Sequence, residues 1–568
     1  MDSKNLNSQF KVLAIAYLLF HCANAAGKVT TPDRGKGEWQ LLLKNTGVVA
    51  MHMALTRRNT VIMFDQTGSG PSGYRLRRRH HGTRCGNVRK DLDDSSCYAH
   101  SIEYDVLRNR IRPLHIETDT WCSSGSMLSN GTLIQTGGFG TGSRRIRYFE
   151  PCRNHNCDWK EGRKLLSNER WYASNLKLPE KDDRVIVVGG RGVFTYEFVP
   201  KRSPNEKSFN LPFLHQTYDR NEGGSNLYPI VHLSSDGHLF MFANRDSILF
   251  DYKRNRVIKK FPRIPGKGSR SYPSTGSSVI LPLHHTNAFR KVEVMICGGA
   301  AAGALSAAKQ GRFLNGSRTC GRMVITGNNH RWKMENMPGP RLMHDMITLP
   351  TGNVLIINGA KNGCGGWNYA SNPALQPYLY KPKKTLGQRF SILKSTKIAR
   401  MYHSSALLLP DGRVLIAGSN PNNKYTFKNV PHPTELRLQA FVPPQVGKGF
   451  NGRRPHNVSI NTSGKDEIVG YGEEFGVKFL LKEKMSKRLR NEVAFTAYAS
   501  PFNTHSISMN QRLLVLRGKN IVRSKDGWFS AVVEAPPSPK VAPSGYYMLT
   551  VLHNGIPSRS RWIKFIHT

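Results

Sequence analysis

Short apolar strands and polar turns alternate along the chain, and one unit keeps returning. It is an apolar strand, a tight polar turn, a second apolar strand, and then often one or two glycines. Copies occupy residues 51–65, 126–139, 173–191, 230–245, 276–300, 344–360 and 404–419. Brief apolar runs bounded by Gly, Asn, Asp and Ser mark strands rather than helices. The turns Ser129-Asn-Gly131, Ser235-Asp-Gly237 and Pro410-Asp-Gly412 are hairpin formers. The turns centre near residues 59, 130, 182, 236, 289, 352 and 411, so after a wider first gap they recur every 52 to 63 residues. A period near ~50 residues belongs to kelch-type propellers, whose blades are four-stranded sheets arranged in a ring. The pattern predicts an all-β protein with a seven-bladed kelch-type β-propeller over 26–425. A sandwich of ordinary hairpins has no need of matching hairpins at one wide spacing.

The repeat stops after residue 420. Asn420-Pro-Asn-Asn-Lys424 and Pro431-His-Pro433 read as a linker. Shorter alternating strands follow, at 436–442, 477–481, 493–498 and 547–552. They fit a C-terminal immunoglobulin-like β-sandwich over 430–568.

The first residues change the picture from fold to compartment. Lys4 and Lys11 precede an apolar run at 12–20, and Ala23-Asn-Ala25 is a small-x-small cleavage pattern. Residues 1–25 are therefore expected to be a signal peptide. The run is too short to span a bilayer, and no later stretch is apolar enough, so a secreted protein with no membrane span is expected. Eight cysteines would remain in the mature chain. The near neighbours Cys85–Cys97, Cys152–Cys157 and Cys297–Cys320 are the expected disulfides, leaving Cys122 and Cys364 over. Asn130, Asn315, Asn457 and Asn461 stand in N-glycosylation triplets. The formal charge is +45, from 83 Lys+Arg against 38 Asp+Glu. No nucleic-acid-binding motif accompanies it, and an exported chain would not meet nucleic acid. An acidic extracellular polysaccharide is the partner such a surface would attract.

Four segments carry the candidate chemistry. Thr120-Trp-Cys122, Arg170-Trp-Tyr172 and Arg400-Met-Tyr402-His403 each precede the first strand of a repeat, so all can face one end of the ring. Phe502-Asn-Thr-His505 lies in the C-terminal domain. Two imidazoles and two phenols suit Cu(II) better than zinc or calcium. Tyr402 and His403 are neighbours, and strand neighbours point to opposite faces. Both reach one metal only where the chain bends at the end of the ring.

Together these segments resemble the copper-radical oxidases, the galactose oxidase and glyoxal oxidase group, over nearly the whole mature chain. The plant-type glyoxal oxidases are the nearest likeness. The resemblance implies a seven-bladed propeller and an early-set, immunoglobulin-like domain that sends a hairpin back to an axial copper ion. It makes Cys122 the cysteine that forms a thioether with the radical tyrosine, Tyr172. It makes Tyr402 the axial tyrosine, His403 the first histidine and His505 the histidine on the C-terminal hairpin, so that Tyr172, Tyr402, His403 and His505 hold the metal. Galactose oxidase stacks a tryptophan over the thioether, from just after the radical-tyrosine strand. Here residues 189–198 contain none, and Phe194 or Tyr196 is expected to cover the ring instead. The implied activity is oxidation of simple aldehydes to acids, with O2 reduced to hydrogen peroxide. Its alternatives are oxidation of primary alcohols on cell-wall sugars, or a non-catalytic propeller that binds carbohydrate or polyanion.

Overall fold

The computed structural model describes residues 35–76, 97–462, 467–482 and 492–567. The expected leader and Cys85, one half of the Cys85–Cys97 pair, lie outside the described residues. Cys152–Cys157 and Cys297–Cys320 are disulfides, while Cys122 and Cys364 are free and buried.

Each sequence repeat forms the inner half of an antiparallel blade. The second blade runs Ser124–Met127, Leu133–Thr136, Ile146–Phe149 and Trp159–Glu161, each strand paired with the next. The third runs Ser174–Lys177, Val185–Val188, Thr195–Val199 and Phe209–Asn210. Seven sheets built on the sequence repeats contain such a four-stranded unit among the described residues. Inner strands such as Val185–Val188 are wholly buried, because neighbouring blades cover both faces. This is why they read as unbroken apolar runs.

The glycines that close each repeat have a steric reason. Gly137 has φ +74°, and a Cβ there would lie 2.0 Å from the Arg170 carbonyl oxygen on the segment leading into the next blade. Only glycine lets the two backbones meet. Buried arginines hold the same junctions. Arg170 donates to Gly189 O at 2.8 Å, Arg341 to Asn358 O at 2.7 Å and Arg400 to Gly418 O at 2.7 Å, and Arg270 donates to Gly298 O.

The ring closes through strands from opposite ends of the domain. The last blade orders Ser404–Leu408, Val414–Gly418, Leu438–Val442 and then Glu38–Leu43, with Trp39 opposite Phe441. Residues 436–442 are thus a propeller strand, not the first strand of the sandwich, and the propeller runs past residue 425 to Val442. Without Leu438–Val442 the strand Val414–Gly418 would present a bare edge.

The C-terminal domain packs two sheets face to face. One contains His456–Asn461, Glu474–Leu480, Trp528–Glu534 and Gly518–Arg523. The other centres on Val493–Ala499, Arg512–Leu516, Gly545–His553 and Arg561–Ile566. Burial alternates along Trp528–Glu534, and Phe479, Phe495, Phe529 and Val551 fill the layer between the sheets. A hairpin, Phe502–Thr504 and Ile507–Met509, leaves this domain and pairs with His52–Leu55, the inner strand of the first blade. Arg512, buried at its base, donates to Leu233 O in the propeller and to Val541 O in the sandwich. No described helix is long and apolar enough to cross a membrane.

Candidate metal centre

A recurring backbone device aims side chains at the hub. Two residues ahead of the inner strand, Cys122, Tyr172, Tyr228, Thr275 and Met343 all have positive φ, 54°, 66°, 48°, 50° and 54°. Such values are uncommon outside glycine. The turns are locked blade to blade. Tyr172 N–H donates to Cys122 O at 2.9 Å, and Tyr228 N–H to Tyr172 O at 2.9 Å. In the last blade the device moves by one residue: His403 has φ 61°, immediately ahead of Ser404–Leu408. The shift lets Tyr402 and His403 face one site with rings stacked at 3.8 Å, although strand neighbours would diverge.

His505 arrives from the other domain. Thr504 and Ile507 face each other, and the two residues between them, His505 and Ser506, have φ 45° and 70°. Left-handed values at both positions define the type I′ turn that tight hairpins favour. The turn puts His505 at the tip of the hairpin, 4.9 Å from His403 between ring centroids. Its Nδ1 lies 2.7 Å from Thr504 Oγ1, which leaves Nε2 facing Cys122 Sγ at 3.3 Å. Tyr228 lies across the imidazole, ring centroids 5.1 Å apart, while its hydroxyl donates to Ser123 O.

Cys122, Tyr172, Tyr402, His403 and His505 therefore meet in one buried cluster. The ligand atoms of Cys122, His403 and His505 lie within 4.8 Å of one another. The Cys122 thiol also hydrogen-bonds the Tyr172 hydroxyl. Burial holds Cys122, Tyr172 and Tyr402 well above their usual ranges and so protonated. It holds both histidines well below theirs, as neutral imidazoles. His403 Nε2 is buried with no hydrogen-bond partner. A lone nitrogen of that kind, beside a second inward imidazole and two phenols, fits a copper ion's donor preferences.

The aromatic cover differs from expectation. Phe194 packs on His215 and Tyr218, and Tyr196 lies among Phe198, Phe209 and Phe250 in the core between the third and fourth blades. The strand Thr195–Val199 turns Tyr196 into the blade rather than toward the hub. Trp171 covers Tyr172 instead, with ring centroids 4.9 Å apart. The Arg191 guanidinium lies 4.8 Å from the Trp171 centroid and 5.3 Å from that of Tyr172. Trp121 stacks on Trp367 at 4.9 Å, extending this wall to the exposed Phe139.

Tyr272 also escaped the sequence reading. It is buried between the two expected phenol ligands, its oxygen 3.1 Å from Tyr172 Oη and 2.7 Å from Tyr402 Oη. A signal was present: Tyr228-Pro229 and Tyr272-Pro273 precede the inner strands of the fourth and fifth repeats, where the segments that stood out also lie.

This fold and donor set define a propeller protein with a transition-metal centre as its candidate site. The chain belongs to the glyoxal oxidase family: residues 51–445 match the glyoxal oxidase N-terminus family and residues 454–565 the galactose oxidase-like early set domain. It is 42% identical to the aldehyde oxidase GLOX1 of Arabidopsis thaliana, over 93% of this chain and 85% of that one. It is 43% identical to the aldehyde oxidase GLOX of Vitis pseudoreticulata, over 93% and 97%. A fungal alcohol oxidase of the AA5 family, solved in complex with copper, shares the fold. Its TM-score is 0.70 at 16% identity, over 94% of this chain and all of that one.

Proposed function

We propose that the chain is a secreted copper-radical oxidase that converts simple aldehydes to carboxylic acids and reduces O2 to hydrogen peroxide. The observation that carries this reading is the meeting of two neutral imidazoles, two phenols and a thiol at one buried point, in a chain 42–43% identical to plant aldehyde oxidases. Tyr172, Tyr402, His403 and His505 would hold the ion. When bound, copper would supply a one-electron acceptor and a Lewis-acidic position for substrate oxygen.

The protein's own groups do the rest. Tyr402, protonated in the metal-free cluster, would give up its own proton on binding the ion and, as the phenolate, accept the proton of the substrate hydroxyl as general base. Tyr172 takes a hydrogen atom from the substrate carbon, its ring made easier to oxidise by a thioether to Cys122. Forming that thioether makes one C–S bond and breaks the S–H and a ring C–H bond; the two hydrogens and their electrons pass to O2. An aldehyde enters as its hydrate, so removal of two hydrogens yields the acid. Burial of the cluster keeps bulk water from the oxidised tyrosine.

The test is copper-loaded protein in a coupled peroxide assay with glyoxal, methylglyoxal and glycolaldehyde. Tyr172→Phe is expected to keep copper and lose turnover on the order of 10⁴-fold; retained turnover would sink the radical assignment. Mass spectrometry of the mature denatured protein is expected to show a mass lower by two hydrogens, with Cys122 and Tyr172 in one cross-linked peptide pair. A second reading, oxidation of a primary alcohol on a wall sugar, draws support from the Trp121, Trp367 and Phe139 wall, which offers a sugar ring a flat apolar face. Peroxide from sugars but not aldehydes would decide for it. The leader pattern and the two disulfides support export, and the charge of +45 supports an acidic wall polymer as partner.

A further inference from the structure

Tyr272 is a third phenol in a site whose proposed function uses two. It comes from the fifth blade, where its backbone N–H donates to Leu227 O at 3.2 Å. Arg270, two residues earlier, is stapled to Gly298 O. Its ring lies on Tyr172, centroids 4.5 Å apart and planes at 32°, and presents an edge to His505 at 5.8 Å and 77°.

The hydroxyl, not the ring, needs explaining. A phenylalanine would fill the same volume, whereas a buried hydroxyl must find partners or pay for desolvation. The partners of Tyr272 Oη are the hydroxyls of Tyr172 and Tyr402. Tyr172 donates to it. Between Tyr272 and Tyr402 either hydroxyl can be the donor, so the Tyr272 oxygen links the two other phenols whichever way that proton lies.

We infer that Tyr272 is a positioning residue: its hydroxyl fixes the spacing and direction of the Tyr172 and Tyr402 oxygens, so that copper meets a preset pair of phenol donors. The inference rests on the proposed oxidase function for what the pair does, and on the hydrogen bonds alone for where the pair sits.

The experiment is Tyr272→Phe in the full chain, with Tyr272→Leu beside it. Thermal melting, copper content, the Cys122–Tyr172 mass, the visible spectrum of the copper-loaded protein, kcat and KM for methylglyoxal are compared with wild type. Tyr272→Phe is expected to fold, bind one copper and shift or weaken the phenolate-to-copper absorption. It is expected to lose about ten- to hundredfold in kcat, with KM within about threefold of wild type. Tyr272→Leu is expected to show the same spectral change. A wild-type spectrum and kcat in Tyr272→Phe overturn the inference, as does a spectral change confined to Tyr272→Leu, which would assign the effect to the ring. A rise in KM alone also overturns it, since that marks a substrate contact. Absence of peroxide from wild type with every aldehyde would count against the oxidase reading instead, and the spectra would still judge Tyr272.

Discussion

A non-glycine residue in the left-handed region costs about 1–3 kcal/mol, and this protein spends that at Cys122, Tyr172, His403 and His505 alike. The strain persists because the Cys122, Tyr172 and Tyr228 turns are tied to one another, and because the alternative backbone would aim these side chains away from the hub. At this scale Thr504 matters as much as a ligand. Its Oγ1 lies 2.7 Å from Nδ1 and engages that nitrogen of the His505 imidazole, so that Nε2 is the one turned inward. Thr504→Val is expected to keep the strand pairing with His52 and to weaken copper binding about 10- to 100-fold, read by competition with a chelator. Unchanged affinity would mean that the hairpin alone orients the ring. The five residues now gathered in the cluster were legible because each sits beside a strand of a recognisable repeat or motif. Tyr272 was not, because a tyrosine before a proline resembles any strand entrance until its hydroxyl partners are seen. Phe194 and Tyr196 are near Tyr172 in sequence but not in space, because the strand Thr195–Val199 carries them into the core between blades.

Among elements, the blade junctions bear the site. Arg170 is buried with Glu197, donating to its carboxylate and to the carbonyls of Gly189 and Thr195, two residues before Tyr172. Arg170→Met is expected to destabilise the propeller by about 3–5 kcal/mol, because Glu197 would be left buried and uncompensated. Adding Glu197→Gln should recover part of that loss in urea unfolding. Equal midpoints for the single and double variants would show that the carbonyl bonds, not the ion pair, dominate. The inner hairpins of these blades were legible from alternation and turn residues. Closure was not: Glu38–Leu43 pairs with Leu438–Val442 across some four hundred residues, and no local pattern encodes such a partner.

On the scale of the molecule the charge of +45 divides into two populations. Arg147, Arg170, Arg270, Arg341, Arg400 and Arg512 are buried and hold carbonyls, so they contribute to architecture rather than attraction. Exposed side chains such as Lys44 and Lys207 form the second, and these are available for long-range attraction. Retention on immobilised polygalacturonate is expected at ~10 mM salt, where screening reaches ~30 Å, and release at ~1 M, where it reaches ~3 Å. Passage through the column at low salt would remove an acidic polymer as partner.

The hairpin bearing His505 also sets an order of events. A ring folded without its companion domain lacks the His505 imidazole, so a half-finished chain cannot complete the buried cluster. Under the proposed function, the ion becomes a clasp between two separately built parts. At a free copper concentration of about 100 Kd it would add ~2.7 kcal/mol to their union. Oxidising power would then be withheld until the last domain has docked, and loss of the metal would loosen the seam before either half unfolds.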